Sequence, residues 1–97
     1  MPVKVPYKIN KIKRLSFSDF IRDNNLAVVV DELKDGMFCA KFEPYIEISE
    51  NYMLYGTSCW SSSPDHAVWL LADNIKGKKV KIRNGVYVDC PAEWAEV

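Results

Sequence analysis

A pattern of hydrophobic and polar positions that is typical of a helix runs from residue 64 to residue 76. Its apolar residues follow the i, i+3, i+4, i+8 spacing of a stripe along one side of a helix: Ala67, Leu70, Leu71 and Ile75. Ser63 is a suitable N-cap, Pro64 fits the first helical position, and Gly77 suits the residue after the helix end. The pattern predicts an amphipathic helix over 64–76 whose stripe packs on a sheet.

A hairpin is predicted well before this helix. Two runs with strand character, 27–33 and 37–42, flank a turn that contains Asp35-Gly36. Asp-Gly favours a tight type I′ turn, because both residues accept positive φ. This register predicts two facing apolar pairs, Leu33 with Phe38 and Val29 with Phe42.

A second hairpin is predicted after the helix, between residues 79–82 and 86–89. A three-residue loop with Gly85 left-handed pairs Ile82 with Val86 and Val80 with Val88. A two-residue Asn-Gly turn instead pairs Ile82 with Tyr87 and Val80 with Asp89. The first register separates apolar from polar side chains better and is preferred.

Three further segments have weaker patterns. Residues 3–9 alternate like a half-buried strand, and Pro6 places that strand at a sheet edge because proline cannot donate to a ladder. A short helix is predicted near 18–24, with Ser18 as its N-cap and a left-handed residue in the Asn pair at its end. Residues 45–55 read as either a hairpin or one long bent strand, and the sequence leaves both open.

These elements predict one small α+β domain over residues 1–97: an antiparallel sheet of about five strands with the 64–76 helix on one face. Hydrophobic residues make up 48% of the chain and charged residues 27%, which is typical of globular proteins and excludes a disordered or fibrous chain. The predicted inner face of the sheet has seven members: Val29, Leu33, Phe38, Phe42, Val80, Ile82 and Val88.

Charge and cysteine content limit the binding partners and the cellular location that the sequence favours. Thirteen Lys and Arg balance thirteen Asp and Glu, so net charge favours neither nucleic acid nor membrane. No apolar run is long enough to span a bilayer, and the N-terminus lacks the apolar region of a signal peptide. Three widely spaced cysteines favour a reducing, cytoplasmic location over a disulfide framework. They and the single histidine show no metal-ligand spacing, so neither metal nor cofactor is predicted.

Enzyme chemistry has little support in the chain. Cys59 and His66 are the candidate nucleophile pair, and no cysteine-enzyme signature surrounds either residue. The glycines are explained by turns and a helix end, and no phosphate-binding loop is present. We therefore predict no catalytic residues and keep a small thiol enzyme as a remote alternative.

Basic residues form two clusters that suit a nucleic-acid face if they lie side by side. Their members are Lys11, Lys13, Arg14, Lys78, Lys79, Lys81 and Arg83. The alternative is that these side chains only solvate strand faces and protect sheet edges. No RNA-binding aromatic signature accompanies them.

Aromatic residues crowd the middle third of the chain, and a domain this small cannot bury them all. Partly exposed Trp and Tyr are typical anchors of protein interfaces. The predicted partner-binding residues are Tyr52, Tyr55, Trp60, His66, Trp69 and Asp73. The favoured function is a non-catalytic module that binds a protein partner, as a monomer or a homodimer.

Three short motifs between residues 35 and 80 resemble the HicB-type antitoxin domain. They are the hairpin sequence from Asp35-Gly36 to Phe42, the strand end Tyr55-Gly56-Thr57, and the helix start from Ser63 to Ala67. The chain also resembles small accessory proteins of phages and prophages. The resemblance implies a partial double-stranded-RNA-binding-like fold and a regulatory or inhibitory role, with nucleic-acid binding or antitoxin function as the alternative.

Overall fold

The structure of the protein is a computed structural model that describes residues 15–83 and 85–95. These residues form the helices α1 (Phe17–Asp23) and α2 (Pro64–Ile75). They also form the strands β1 (Ala27–Glu32), β2 (Phe38–Glu43), β3 (Glu47–Glu50), β4 (Met53–Gly56), β5 (Cys59–Ser61), β6 (Lys79–Arg83) and β7 (Val86–Asp89). The strand predicted over residues 3–9 lies outside the described residues.

The strands form two antiparallel sheets, in the orders β1-β2-β5 and β4-β3-β6-β7. The predicted α+β class, with a helix packed on an antiparallel sheet, is confirmed. The strands do not form one sheet of about five, however. Pro44, which has no N–H to donate to a ladder, separates β2 from β3, and β3 pairs with β6 in the second sheet.

Helix α2 begins as predicted. Ser63 is the N-cap, and its hydroxyl accepts a hydrogen bond from the backbone N–H of His66. Pro64 occupies the first turn, and the chain leaves the helix through Lys76 and Gly77, whose φ is +70°. A left-handed glycine directly after the helix is a common helix ending, because glycine has no Cβ to clash there.

The buried stripe of α2 is rotated from the predicted one. Ala67, Leu71 and Ile75 are fully buried, as expected, but Leu70 is only partly buried. Ala72 is fully buried instead. The C-terminal segment contacts the helix here, since the indole N–H of Trp94 donates to the Ala72 carbonyl, and the spacing of apolar residues does not reveal this contact.

The β1–β2 hairpin differs from its predicted register by one residue. The N–H of Leu33 donates to the carbonyl of Met37, and Gly36 is left-handed with φ +71°, so the loop has three residues. Phe42 therefore pairs with Val28 rather than Val29, and Phe38 with Glu32 rather than Leu33. A shift by one residue exchanges the two faces of a strand, which leaves Leu33 40% exposed.

The N-cap of helix α1 lies two residues earlier than predicted. It is Ser16, not Ser18, and the Ser16 hydroxyl accepts a hydrogen bond from the Asp19 N–H at 3.0 Å. This start brings Phe17 into the helix, three residues before Phe20, so both rings lie on the same buried side. The predicted left-handed residue at the helix end is Asn25, with φ +53°.

The last hairpin matches the preferred register in part. Val80 pairs with Val88, and Gly85 is left-handed with φ +75°. The predicted pair of Ile82 with Val86 is wrong, because Arg83 pairs with Val86 and the register shifts between Lys81 and Arg83. This irregularity leaves Ile82 without a partner on β7, and Ile82 lies in the core with 6% exposure.

Residues 47–56 form a hairpin, which settles the alternative that the sequence left open. Its turn consists of Asn51 and Tyr52, with φ of +52° and +62°. Positive φ at both positions is the pattern of a type I′ turn, in which the second position strongly favours glycine. Tyr52 thus combines an unfavourable backbone conformation with a fully exposed side chain (108%).

We expect Tyr52→Gly to raise the free energy of unfolding by about 0.5–1 kcal/mol, because glycine relieves the strain of the left-handed conformation. Thermal unfolding followed by circular dichroism would show a melting temperature that is higher by several degrees. Tyr52→Ala is the control, since it removes the same exposed ring but keeps the Cβ. Equal stability of the two variants would contradict the prediction.

Candidate partner-binding surfaces

The structure divides the six predicted partner-binding residues between two parts of the fold. Trp60 lies on β5, one of the two outer strands of the three-stranded sheet, and three residues lie on α2: His66, Trp69 and Asp73. Tyr52 and Tyr55 belong to the β3–β4 hairpin of the other sheet. The side chains therefore contribute to two surfaces rather than one.

Trp69 is held in place by its neighbours on α2 and β5. The rings of His66 and Trp69 stack, with their centroids 5.9 Å apart and an angle of 14° between the planes. His66 Nδ1 shares a hydrogen bond of 2.7 Å with the hydroxyl of Ser61, a residue that is 7% exposed. The buried Ser61 thus anchors the imidazole against which Trp69 rests, while Trp69 itself stays 46% exposed.

Asp73 separates two grooves. One, of about 220 Å³, is lined by Trp69, Asp73, Lys76, Glu93 and Trp94. The other, of about 410 Å³, is lined by Ser58, Cys59, Trp60, Leu70, Asp73 and Asn74. We call Trp60, Trp69, Leu70 and Asp73 the tryptophan rim. It combines two half-exposed indoles with one carboxylate.

The carboxylate of the tryptophan rim has a cationic partner. Lys76 Nζ lies 2.7 Å from Asp73 Oδ1 and 3.9 Å from Glu93 Oε2. The hydrogen bond and the charge of Asp73 raise the pKa of Lys76, with a smaller contribution from Glu93. Because the pair is exposed to solvent, it fixes side-chain positions more than it stabilises the fold.

Cys59 and His66 have separate hydrogen-bond partners. The imidazole bonds to Ser61, and the thiol of Cys59 donates to the carbonyl of Thr57 with 3.4 Å between the heavy atoms. Burial raises the pKa of Cys59, and it raises that of Cys90 to about 12. A raised pKa reduces the fraction of thiolate at neutral pH, and the thiolate is the nucleophilic form.

The β3–β4 hairpin carries the second surface. A groove of about 470 Å³ on this side is lined by Ser49, Tyr52, Met53, Leu54, Lys79 and Tyr87. The hydroxyl of Tyr55 donates to the sulfur of Met53 at 3.5 Å. Sequence reasoning missed Met53, Leu54 and Tyr87, although the uncharged sequence of β4 was a signal that could have found the first two.

Within the described residues, the predicted basic cluster lies next to acidic residues. Lys78 precedes β6, and Lys79, Lys81 and Arg83 lie on it. In the sheet, Lys79 pairs with Asp89 and Lys81 with Glu47. Adjacent carboxylates reduce the local positive potential that a phosphate backbone requires. Lys11, Lys13 and Arg14 lie outside the described residues, so their position relative to this cluster stays open.

Two kinds of feature are absent from residues 15–83 and 85–95. In this part of the chain, no three His, Cys, Asp or Glu side chains are grouped so that they could hold a metal ion. No helix there has the length and apolar character to cross a membrane. Comparison of the chain with protein-family models, with curated proteins and with solved structures gives no match. The resemblance to HicB-type antitoxins stays a prediction.

Proposed function

We propose that the protein is a non-catalytic protein-binding module, encoded by a phage or another mobile element, that regulates or inhibits a host protein in the cytoplasm. The observation that carries the proposal is the tryptophan rim, in which Trp60 and Trp69 are 55% and 46% exposed beside grooves that share Asp73. Tryptophan is enriched among the residues that dominate binding energy in protein interfaces.

The stacking of Trp69 on His66 strengthens the proposal. Because its indole already stacks on His66, and His66 is bonded to Ser61, little side-chain freedom remains to be lost on binding. Such pre-organisation raises affinity without new contacts. Leu71 and Ile75, on the opposite side of α2, fix the helix to the core.

The grooves indicate the chemistry of the partner. A surface that fits presents apolar side chains to the indoles and Leu70, and a hydrogen-bond donor to Asp73. Binding of this kind inhibits by covering a site on the partner and needs no reaction of its own. The proposal therefore assigns no catalytic residue and no cofactor.

Capture from host lysate, followed by measurement with the purified partner, tests the proposal. We expect one host protein to be retained at high salt by the native chain and lost with Trp69→Ala. In calorimetry with that protein, Trp69→Ala should weaken binding by about 2 kcal/mol or more. Tyr87→Ala removes an aromatic side chain of similar exposure (48%) from the other sheet and should bind normally. Circular dichroism verifies that both variants fold.

The same experiment contains the result that would overturn the proposal. If nucleic acid is captured instead and elutes as salt rises, the function belongs to the basic residues. The double variant Lys78→Glu with Lys81→Glu would then abolish capture, whereas Trp69→Ala would leave it intact. Equal retention of a host protein by the native chain and by Trp69→Ala would also exclude the tryptophan rim as the binding site.

A further inference from the structure

Among residues 15–83 and 85–95, no strand pairs with the outer side of strand β4. It is the outer strand of the four-stranded sheet, and all four of its residues are exposed, including Met53 (57%), Leu54 (42%) and Tyr55 (43%). Natural proteins usually protect such edges with charged residues or proline, because the free backbone groups pair with other strands. β4 has neither. Of the other outer strands, β1 and β7 carry acidic residues, and β5 is also uncharged but has only three residues.

The backbone groups that β4 presents can be assigned from its pairing with β3. Glu50 and Met53 close a two-residue turn, and such a closing pair exchanges both of its hydrogen bonds. Hydrogen-bonded and non-bonded pairs then alternate along an antiparallel ladder. Leu54 and Gly56 therefore direct their N–H and C=O groups away from β3, toward the open edge.

We propose that β4 pairs with β4 of a second copy of this chain, antiparallel and about a two-fold axis through Leu54. In this register Leu54 faces Leu54 of the other copy, and Met53 faces Tyr55. The two four-stranded sheets then join into one continuous sheet. The free N–H and C=O of each Leu54 bond to those of its counterpart.

Self-complementarity argues for a second copy as the occupant of this edge. A two-fold axis brings a residue on the axis against itself, so that any charge there meets a like charge. Residues 52–56 contain no charged side chain, and both faces of the proposed ladder consist of apolar or aromatic pairs. The groove beside β4, lined by Tyr52 and Leu54, would be extended by the same residues of the second copy.

The contact is small, which determines how the dimer should behave. Pairing of two four-residue strands covers less surface than the interfaces of permanent complexes. We therefore expect a reversible dimer that dissociates on dilution. Its interface shares no residue with the tryptophan rim, so the dimer and the proposed function can fail separately.

Sedimentation velocity of the purified full chain over a dilution series is the first test. The native chain should shift from dimer to monomer as it is diluted. Leu54→Lys places two like charges at the axis and should raise the dimer dissociation constant roughly a hundredfold or more. Val30→Lys makes a comparable change on the outer strand β1, at a residue that is 36% exposed, and should leave the dimer intact.

A mixing experiment tests the two-fold axis itself. Neither Leu54→Lys nor Leu54→Glu should dimerise alone, but an equimolar mixture should form a heterodimer because opposite charges then meet at the axis. Circular dichroism of each variant verifies its fold. A mixture that stays monomeric, under conditions where the native chain dimerises, would overturn the assigned axis.

Amide exchange followed by NMR gives an independent readout. The Tyr55 N–H points toward β3 and should be protected at every concentration, whereas the Leu54 N–H should become protected only as concentration rises. A native chain that is monomeric at its highest soluble concentration would overturn the proposal. So would a Leu54 N–H that is protected equally at all dilutions, since another segment of the same chain would then cover the edge.

Discussion

Leu71→Ala should lower the free energy of unfolding by about 2–5 kcal/mol. The Leu71 side chain is completely buried on the side of α2 that contacts β1, β2 and β5. Its removal forfeits the transfer free energy of the buried methyl groups and leaves a cavity that the surrounding core fills only in part. Urea denaturation followed by circular dichroism measures the change.

Leu70→Ala is the matched control for this prediction. It makes the same substitution one residue earlier in the same helix, so the change in helix propensity is the same. Leu70 is only partly buried and lines the groove beside Trp60, so we expect a smaller loss of stability. If Leu70→Ala costs as much as Leu71→Ala, the apolar stripe lies where the sequence pattern alone places it, and the observed rotation of the helix is wrong.

The contrast between Leu70 and Leu71 shows why some features were predictable. Helix α2 is encoded locally: Ser63, Pro64 and Gly77 act on the backbone next to them, and each acts as predicted. Which side of the helix is most deeply buried depends on what covers it, and the Ala72 carbonyl accepts a hydrogen bond from Trp94, far along the chain. Local spacing contains no information about that contact.

The predicted strand registers were wrong for a related reason. Asp35-Gly36 correctly marked a turn, but a loop of two residues and a loop of three fit the same sequence, and they place opposite side chains inward. The division into two sheets arises because β3 pairs with β6 rather than with β2. The β3–β6 pairing joins segments that are far apart in the sequence. Composition and alternation identify strands well and their partners poorly.

The candidate site was predictable to the extent that it lies on a helix. His66, Trp69 and Asp73 are spaced by three and four residues, which places them on one helical face, and the stacking of His66 on Trp69 agrees with that. Trp60 joins them only because β5 pairs with β2 beside α2. Tyr52 and Tyr55 were assigned to the same surface by proximity in sequence, and the hairpin carries them to the other sheet.

Trp94 is the residue that sequence reasoning undervalued most. It lies close to the C-terminal end of the chain, outside any helix or strand, yet it is only 9% exposed. Its ring centroid lies 5.3 Å from that of Phe17 and 5.3 Å from that of Phe20. Its indole Nε1–H donates a 2.8 Å hydrogen bond to the carbonyl of Ala72 in the last turn of α2, where helix carbonyls need outside partners. One side chain thus connects the two helices.

We expect Trp94→Ala to lower the free energy of unfolding by about 3–5 kcal/mol, since it removes both the aromatic packing and the hydrogen bond. Trp94→Phe retains a ring against Phe17 and Phe20 but has no donor for Ala72. It should therefore cost about 1–3 kcal/mol, the penalty of leaving a buried carbonyl without its partner. Urea denaturation of both variants separates the two contributions.

The comparison also decides what holds α1 in place. Backbone contacts already join the ends of the described chain, because the Ala95 N–H donates to the carbonyl of Leu15 at 3.2 Å. If Trp94→Ala were as stable as Trp94→Phe, the ring would contribute nothing beyond that backbone contact. A large difference, with α1 amides exchanging faster in Trp94→Ala alone, would show that α1 is held mainly by the aromatic ring at position 94.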